Sequence, residues 1–208
     1  MKKILLAGFV ALSALIGTPA LASPIVLNGP GATNVDTAFP THISFSTALT
    51  DTITDLNISI DLDAACCGYD NTVTLTHVNS GTSAVLWYDS LIPGGGGGGG
   101  PSTFGDVLGV VFDDEAATAF SSIPTGSFPV APGSYKAFGS LSVFDGLSLF
   151  GTWRLTIQNT GCCAFEGDDL LAWSLIAETG NVPEPTILSL LAMGLLGMGI
   201  KRRQRVGA

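Results

Sequence analysis

The feature that most constrains this chain is a pair of alternating, tryptophan-bearing segments within residues 151–175. The first reads Gly151-Thr-Trp-Arg-Leu-Thr-Ile and the second Leu170-Leu-Ala-Trp-Ser-Leu. In each segment large apolar side chains recur at every second position, which places them on one face of an extended strand. A stretch with two cysteines and several acidic residues separates the segments. The pattern predicts two half-buried strands that close an all-β sandwich.

The rest of the middle of the chain supports an all-β fold. Alternation predicts further strands within residues 42–46, 55–63, 72–78, 80–87 and 106–112. Irregular, proline-rich chain is expected after them, up to Tyr135. Residues 94–100 are a glycine run between two prolines, and we interpret them as a flexible insertion. They are not a phosphate-binding loop, because no Lys-Ser/Thr pair and no predicted helix follow them.

Both ends of the chain have the pattern of targeting signals. Residues 1–22 begin with two lysines, continue as a short apolar run and end in Ala20-Leu-Ala, a typical cleavage pattern for secretion. The apolar run is short for a membrane span, which disfavours an uncleaved anchor. We therefore expect a signal peptide at 1–22, one domain at 23–180 and a sorting tail at 181–208.

The tail combines three features in a fixed order: Val182-Pro-Glu-Pro, an apolar run over residues 186–200, and Lys201-Arg-Arg-Gln-Arg. As a helix the run would be about 22 Å long, short of the ~30 Å hydrocarbon core, and the basic end would stay cytoplasmic. This order resembles the PEP-CTERM sorting signal of Gram-negative bacteria. The resemblance implies a transient inner-membrane anchor, which an exosortase, a membrane protease, removes during delivery to the cell surface or extracellular polymer. Its sorting residues are then Pro183, Glu184 and Pro185; a permanent anchor is the alternative.

The charge is distributed unevenly along the chain. The chain holds 8 basic and 17 acidic residues, a formal net charge of −9. Six of the basic residues lie in the terminal signals, so residues 23–180 hold 16 acidic residues against only Lys136 and Arg154, a net charge of −14. Such a surface repels nucleic acid and anionic lipid and suits calcium or cationic partners. Solubility alone explains it equally well.

Several blocks between residues 53 and 176 resemble the proprotein-convertase P domain. They are the two closing strands with Asp168-Asp-Leu-Leu-Ala-Trp-Ser-Leu, Asp70 before Thr72-Val-Thr-Leu-Thr, Gly81-Thr, Phe112-Asp-Asp-Glu-Ala and Leu141-Ser-Val-Phe-Asp-Gly. The resemblance implies a jelly-roll β-sandwich. The chain departs from the family pattern where Asn71 replaces the usual Leu, where Ala65 replaces a common His, and where the glycine run is added, so loop geometry differs there.

Catalytic residues are not evident in this sequence. His42 and His77 lie in no motif with a serine and an aspartate that would form a triad, and no serine occupies a nucleophile elbow. His77 alternates with Leu75 on a predicted strand, so we interpret it as a hydrogen-bonded sheet residue. In convertases the P domain supports a separate catalytic domain, for which this chain has no room. We expect a non-enzyme.

Two cysteine pairs precede acidic, glycine-containing turns at positions that a jelly roll would bring together. They are Cys66, Cys67, Cys162 and Cys163. An even number of cysteines in an exported chain indicates disulfides, and we expect at least one bond between the two pairs. Vicinal disulfides, free thiols and a zinc site remain open, although adjacent cysteines lack the two-residue gap of common zinc motifs.

Acidic residues cluster in three predicted loops, which we expect at one end of the sandwich. Their carboxylates are hard oxygen ligands that suit a weak extracellular calcium site, although no 12-residue calcium loop is present. The candidate calcium ligands are Asp70, Asp113, Asp114, Glu166 and Asp168. Solvated turn carboxylates are the alternative interpretation.

These features together predict an exported, exosortase-processed, non-catalytic β-sandwich of the cell surface or extracellular matrix. Its role is structural or adhesive, with exopolysaccharide or surface proteins as partners. The alternative function is an accessory P domain that assists a separate secreted subtilisin-like protease.

Overall fold

Alternating segments form nine strands in the part of the chain that the computed structural model describes, namely residues 23–35, 39–64, 71–88, 106–123, 129–159 and 167–180. In chain order they are β1 (Ile25–Gly29), β2 (Thr41–Thr47), β3 (Ile53–Asp63), β4 (Asn71–His77), β5 (Thr82–Trp87), β6 (Val107–Phe112), β7 (Gly133–Tyr135), β8 (Gly151–Asn159) and β9 (Asp169–Thr179). Two short 3₁₀ helices, Phe120–Ser122 and Leu141–Phe144, accompany them. No helix among these residues is long and apolar enough to cross a membrane. The predicted signal and sorting helices lie outside them.

The strands form two sheets that pack face to face. One sheet has five strands in the order β1-β9-β3-β6-β7, and the other has four in the order β2-β8-β4-β5. Neighbouring strands run antiparallel, except β6 and β7, which are parallel. The predicted all-β sandwich is confirmed. The short β7 is a strand that the proline-rich composition of its surroundings concealed.

The two tryptophan-bearing strands lie in opposite sheets and fill the core between them. Trp153 on β8 and Trp173 on β9 are 0% and 2% exposed. Each indole N–H donates a 3.1 Å hydrogen bond to a backbone carbonyl, that of Leu149 and that of Pro30 respectively. Phe45 on β2 reaches across to Trp173, with ring centroids 5.2 Å apart. Burial of such large rings with a satisfied polar group is a main source of sandwich stability.

The two ends of the sandwich are built differently. At one end four connections pass between the sheets, β1 to β2, β3 to β4, β5 to β6 and β8 to β9, and we call this the crossover end. There Asp63 pairs with Asp169 in one sheet and Asn71 pairs with Asn159 in the other. The opposite end, where β4 turns into β5 through residues 78–81, is called the turn end.

Candidate binding face

The outer surface of the four-stranded sheet carries mainly hydroxyl-bearing side chains. On β2, β4 and β8, outward polar residues alternate with inward apolar ones. Two cross-strand hydrogen bonds lie on this surface, one of 3.0 Å between His42 Nδ1 and Thr156 Oγ1 and one of 2.9 Å between the hydroxyls of Ser46 and Thr152. We call the surface the hydroxyl face, and its members are His42, Ser44, Ser46, Thr72, Thr74, Thr76, Ser83, Thr152, Arg154, Thr156 and Gln158.

No carboxylate lies on the four strands of this sheet, although the domain is strongly acidic. Strands β2, β4, β5 and β8 contain neither Asp nor Glu. The strands of the opposite sheet carry outward acids, among them Asp55, Asp61 and Glu178. Packed sheets lie about 10 Å apart, and the Debye length at physiological ionic strength is about 8 Å. Salt therefore screens the hydroxyl face from the acids on the other sheet.

Arg154 occupies the centre of the hydroxyl face. It lies on β8 directly between Ser44 on β2 and Thr76 on β4. Its Nε is enclosed and has no hydrogen-bond partner among the residues that the structure describes. A buried donor left without an acceptor costs about 1–3 kcal/mol, and this Nε contributes no hydrogen bond that would fix the side chain. Its planar fork of donors suits carboxylates and other planar acceptors.

A shallow depression of about 380 Å³ opens at the turn end of the hydroxyl face. Its lining consists of Ser46, Thr47, Ala48, Asn79, Phe150, Gly151 and Thr152. The Phe150 ring is 52% exposed, and Asn79 Oδ1 accepts a 2.8 Å hydrogen bond from the Thr152 amide. An exposed ring beside an oriented amide and three hydroxyls offers an apolar surface together with hydrogen-bonding groups.

His77 supports the rim of this depression from below. The residue is 4% exposed, its Nε2 donates a 3.0 Å hydrogen bond to the Phe150 carbonyl, and its Nδ1 contacts Ser80 Oγ at 2.9 Å. Its ring also lies against Trp153, with centroids 4.6 Å apart. The interpretation of His77 as a satisfied sheet histidine is confirmed. Gly151 beside it has φ +125°, and a Cβ there would collide with the Asn79 amide, so glycine is required.

The predicted acidic loops do not gather at one end of the sandwich. Phe112 pairs with Ile58 on β3, and Asp169 pairs with Asp63, five residues further along the same strand. Asp113 lies beyond Phe112, toward the start of β3, whereas Asp168 lies before Asp169, beyond the end of β3. The distance between them along the strands therefore exceeds about 17 Å. A single calcium ion that joins all three loops is incompatible with this arrangement. The strand registers explain why, because sequence spacing alone did not reveal where β6 ends along β3.

Asp114 is occupied by hydrogen bonds within the protein. Its carboxylate accepts hydrogen bonds from the Ser140 hydroxyl and from the backbone amides of Leu141 (3.1 Å) and Ser142 (2.9 Å). Partial burial would raise the pKa of Asp114, but these hydrogen bonds, with Lys136 nearby, outweigh burial and hold the pKa below its usual value. Asp114 therefore stabilises the start of the second 3₁₀ helix, as a capping residue does.

Other acids at the turn end repel one another instead. Burial raises the pKa of Asp55, and the charges of Glu178, Asp113 and Asp145 add to that shift. Burial and the charge of Asp114 raise the pKa of Asp145 as well. Among the described residues no three His, Cys, Asp or Glu side chains are grouped so that they could hold a metal ion.

Of the remaining predicted site residues, the structure describes Asp168. Asp168 is 2% exposed and accepts a 2.8 Å hydrogen bond from the Asn71 amide. The other predicted residues lie outside the described part of the chain: Cys66, Cys67, Asp70, Cys162, Cys163, Glu166, Pro183, Glu184 and Pro185.

Sequence reasoning missed both the hydroxyl face and the depression. The signal was present, because Thr72-Val-Thr-Leu-Thr and His42-Ile-Ser-Phe-Ser place a polar side chain at every second position, and neither stretch holds an acid. What the sequence did not reveal is that these strands flank β8 in one sheet, which brings their polar faces together around Arg154.

The fold and the C-terminal tail define a β-sandwich protein with an attached sorting signal for export. Residues 181–203 match the PEP-CTERM protein-sorting motif, so this chain carries the signal that marks substrates of exosortase for export to the surface of Gram-negative bacteria. A solved serine protease of Aeromonas sobria is similar at 15% identity over 74% of this chain and 27% of that chain, with a TM-score of 0.40. The complex of that protease with its chaperone is similar at 16% identity over 76% and 28%, also with a TM-score of 0.40. The chain thus spans about a quarter of these structures, and no curated protein matches it.

Proposed function

We propose that this protein is an exported, non-catalytic binding protein of the bacterial surface or extracellular matrix, and that the hydroxyl face is its ligand-binding surface. The sorting motif at residues 181–203 supports the destination. The four described strands of this face hold no acid although the sandwich is acidic, and this supports the binding role. Polar, uncharged side chains that both donate and accept hydrogen bonds match the hydroxyl groups of polysaccharide.

Processing of the tail is the first part of this proposal. The tail serves as a transient inner-membrane anchor until exosortase cleaves near the motif that contains Glu184. Changing Glu184 to Ala should keep the full-length protein in the inner-membrane fraction, whereas the parent protein loses its tail and leaves the cell. Immunoblots of membrane and extracellular fractions measure this difference. Release of a tail-less form from the Glu184→Ala strain at the parent level would contradict exosortase processing.

The binding face is the second part, and two matched variants test it. Thr74 lies on the hydroxyl face and Ser59 on the outer face of the opposite sheet, each half-buried on a central strand. A glutamate at either position adds one negative charge, but only Thr74→Glu places it in the proposed contact. We expect the purified, processed protein to sediment with the native extracellular polymer of its producer, Thr74→Glu to lose this binding, and Ser59→Glu to retain it.

The outcomes separate the proposed role from its alternative. Equal binding by both variants, with intact circular dichroism spectra, would contradict the assignment of the face. A protein that fails to bind polymer but forms a stoichiometric complex with a secreted subtilisin-like protease would instead have the accessory role.

A further inference from the structure

Arg154 is the feature of the hydroxyl face that points to a class of ligand. It is the one cationic side chain on the four described strands of this sheet that keeps its charge at all physiological pH values. Its immediate neighbours across the strands, Ser44 and Thr76, bring hydroxyls and no charge. Its Nε is enclosed without a protein acceptor among the described residues. The fold therefore presents a guanidinium whose counter-charge does not come from its own sheet.

We propose that the hydroxyl face recognises a glycan that carries carboxylate groups, and that Arg154 binds one of these carboxylates. This inference rests on the proposed function, since it names the ligand class for the same face. A carboxylate accepts two parallel hydrogen bonds from one guanidinium, which is stronger than a contact between neutral groups. A densely charged polyanion is disfavoured, because residues 23–180 have a net charge of −14 and this face offers one arginine. A polysaccharide with acidic sugars spaced among neutral ones fits both facts.

The surroundings of Arg154 provide contacts for the neutral sugars. Thr152 and Thr156 lie two residues away on either side along β8, about 7 Å from Arg154, and their hydroxyls face the same way. The depression extends from Thr152 to Phe150, and Phe150 lies four residues before Arg154, at most about 14 Å away along the chain. One sugar ring over Phe150 and one acidic sugar over Arg154 are thus different units of the same chain, so the ligand is an oligosaccharide segment rather than a single sugar.

The test compares native extracellular polymer with the same polymer after its uronic acid carboxyls have been reduced to neutral alcohols. The protein is the processed wild type, Arg154→Gln and, as a matched control, Lys136→Gln. Lys136 is the other basic residue of the domain; it is exposed and lies near Asp114 rather than on the hydroxyl face. Both variants change the net charge by one, so any general electrostatic effect is the same in each.

We expect carboxyl reduction to weaken wild-type binding about tenfold or more, the size of a lost charged hydrogen bond. Arg154→Gln should bind native polymer equally weakly, and it should not distinguish native from reduced polymer. Lys136→Gln should bind both forms as the wild type does. Arg154→Lys keeps the charge without the planar fork, so its affinity for native polymer should lie between those of the wild type and Arg154→Gln. This variant provides the test if Arg154→Gln fails to fold.

Two results would overturn this inference. Equal wild-type affinity for native and reduced polymer would show that the face binds neutral sugar alone. Equal weakening by Arg154→Gln and Lys136→Gln would show that overall charge matters and Arg154 does not. Either result leaves the proposed function standing as long as wild type binds and Thr74→Glu does not. Failure of the wild type to bind either polymer would overturn both.

Discussion

The side-chain amide of Asn71 donates a 2.8 Å hydrogen bond to the carboxylate of Asp168, ninety-seven residues later in the chain. Both side chains are buried, at 0% and 2% exposure. Asn71 directly follows the crossover from β3 to β4, and Asp168 ends the crossover from β8 to β9. The bond therefore ties the two crossovers together. Leucine at position 71 would leave the buried carboxylate without this donor.

Replacing Asn71 with Leu, which has nearly the same shape, should therefore destabilise the protein. We expect this although Leu is apolar and position 71 is buried. Loss of a hydrogen bond to a charged group costs about 1.5–3 kcal/mol. Chemical denaturation measures the free energy of unfolding, and a double-mutant cycle with Asp168→Asn isolates the pair. A coupling energy near zero would mean that the two side chains do not support one another.

The same geometry bears on the cysteines. The residues that flank both crossovers pair directly, Asp63 with Asp169 and Asn71 with Asn159, and the crossovers hold one cysteine pair each. We expect non-reducing peptide mapping of the exported protein to show at least one bond between Cys66 or Cys67 and Cys162 or Cys163. Such a bond closes a loop of about 95 residues, so reduction should lower the free energy of unfolding by up to about 4–5 kcal/mol. Four alkylatable thiols, or one zinc ion per chain, would contradict this prediction.

Much of this fold was accessible from alternation in the sequence. The strands around Trp153 and Trp173 follow from apolar residues at every second position, and so does the buried position of His77. Strand order was not accessible, because pairing depends on contacts between residues far apart in the chain. That is why the sequence suggested that the acidic loops share one end of the sandwich. The registers of β6 and β9 on β3 instead place Asp113 and Asp168 toward opposite ends of β3. For the same reason the sequence did not reveal which residues lie beside Arg154 in the sheet.

Asp114 illustrates how a candidate metal ligand is distinguished from a capping residue. Asp114→Asn removes an acceptor from the amides of Leu141 and Ser142, and we expect a loss of about 1–2 kcal/mol for this partly exposed site, or about 2–8 °C in Tm. The loss should be the same in EDTA and in millimolar calcium.

The stabilisation by Asp114 should also depend on pH. Since folding lowers the pKa of Asp114, its contribution to the free energy of unfolding is present above the ordinary aspartate pKa of about 3.9 and disappears as the pH falls through the folded value. Asp63→Asn, on an exposed strand end, is the control for charge. A loss that appears only with calcium would restore the metal interpretation.

Asp55 should show the opposite behaviour. Burial, together with Glu178, Asp113 and Asp145, raises its pKa in the folded state, so the ionised carboxylate opposes folding at neutral pH. Asp55→Asn should therefore increase stability at pH 7 by about 0.2–1 kcal/mol, the range for exposed charge interactions. Acidification protonates Asp55 first in the folded state, so the advantage should fade as the pH drops through that raised pKa and vanish below about pH 4. Thermal melts over pH 3–8 measure it. Asp55→Glu keeps the charge, and an equal gain from that variant would contradict the electrostatic explanation.

The outer surface of the four-stranded sheet is the proposed ligand-binding surface, and hydroxyl-radical footprinting with native polymer tests this assignment most directly. Phe150 and His42 are exposed on or beside the hydroxyl face, whereas Val26 and Leu171 are each 54% exposed on strands of the opposite sheet. Saturating polymer should reduce the oxidation rates of Phe150 and His42 several-fold and leave those of Val26 and Leu171 unchanged. Protection of Val26 and Leu171 without protection of Phe150 and His42 would contradict this assignment.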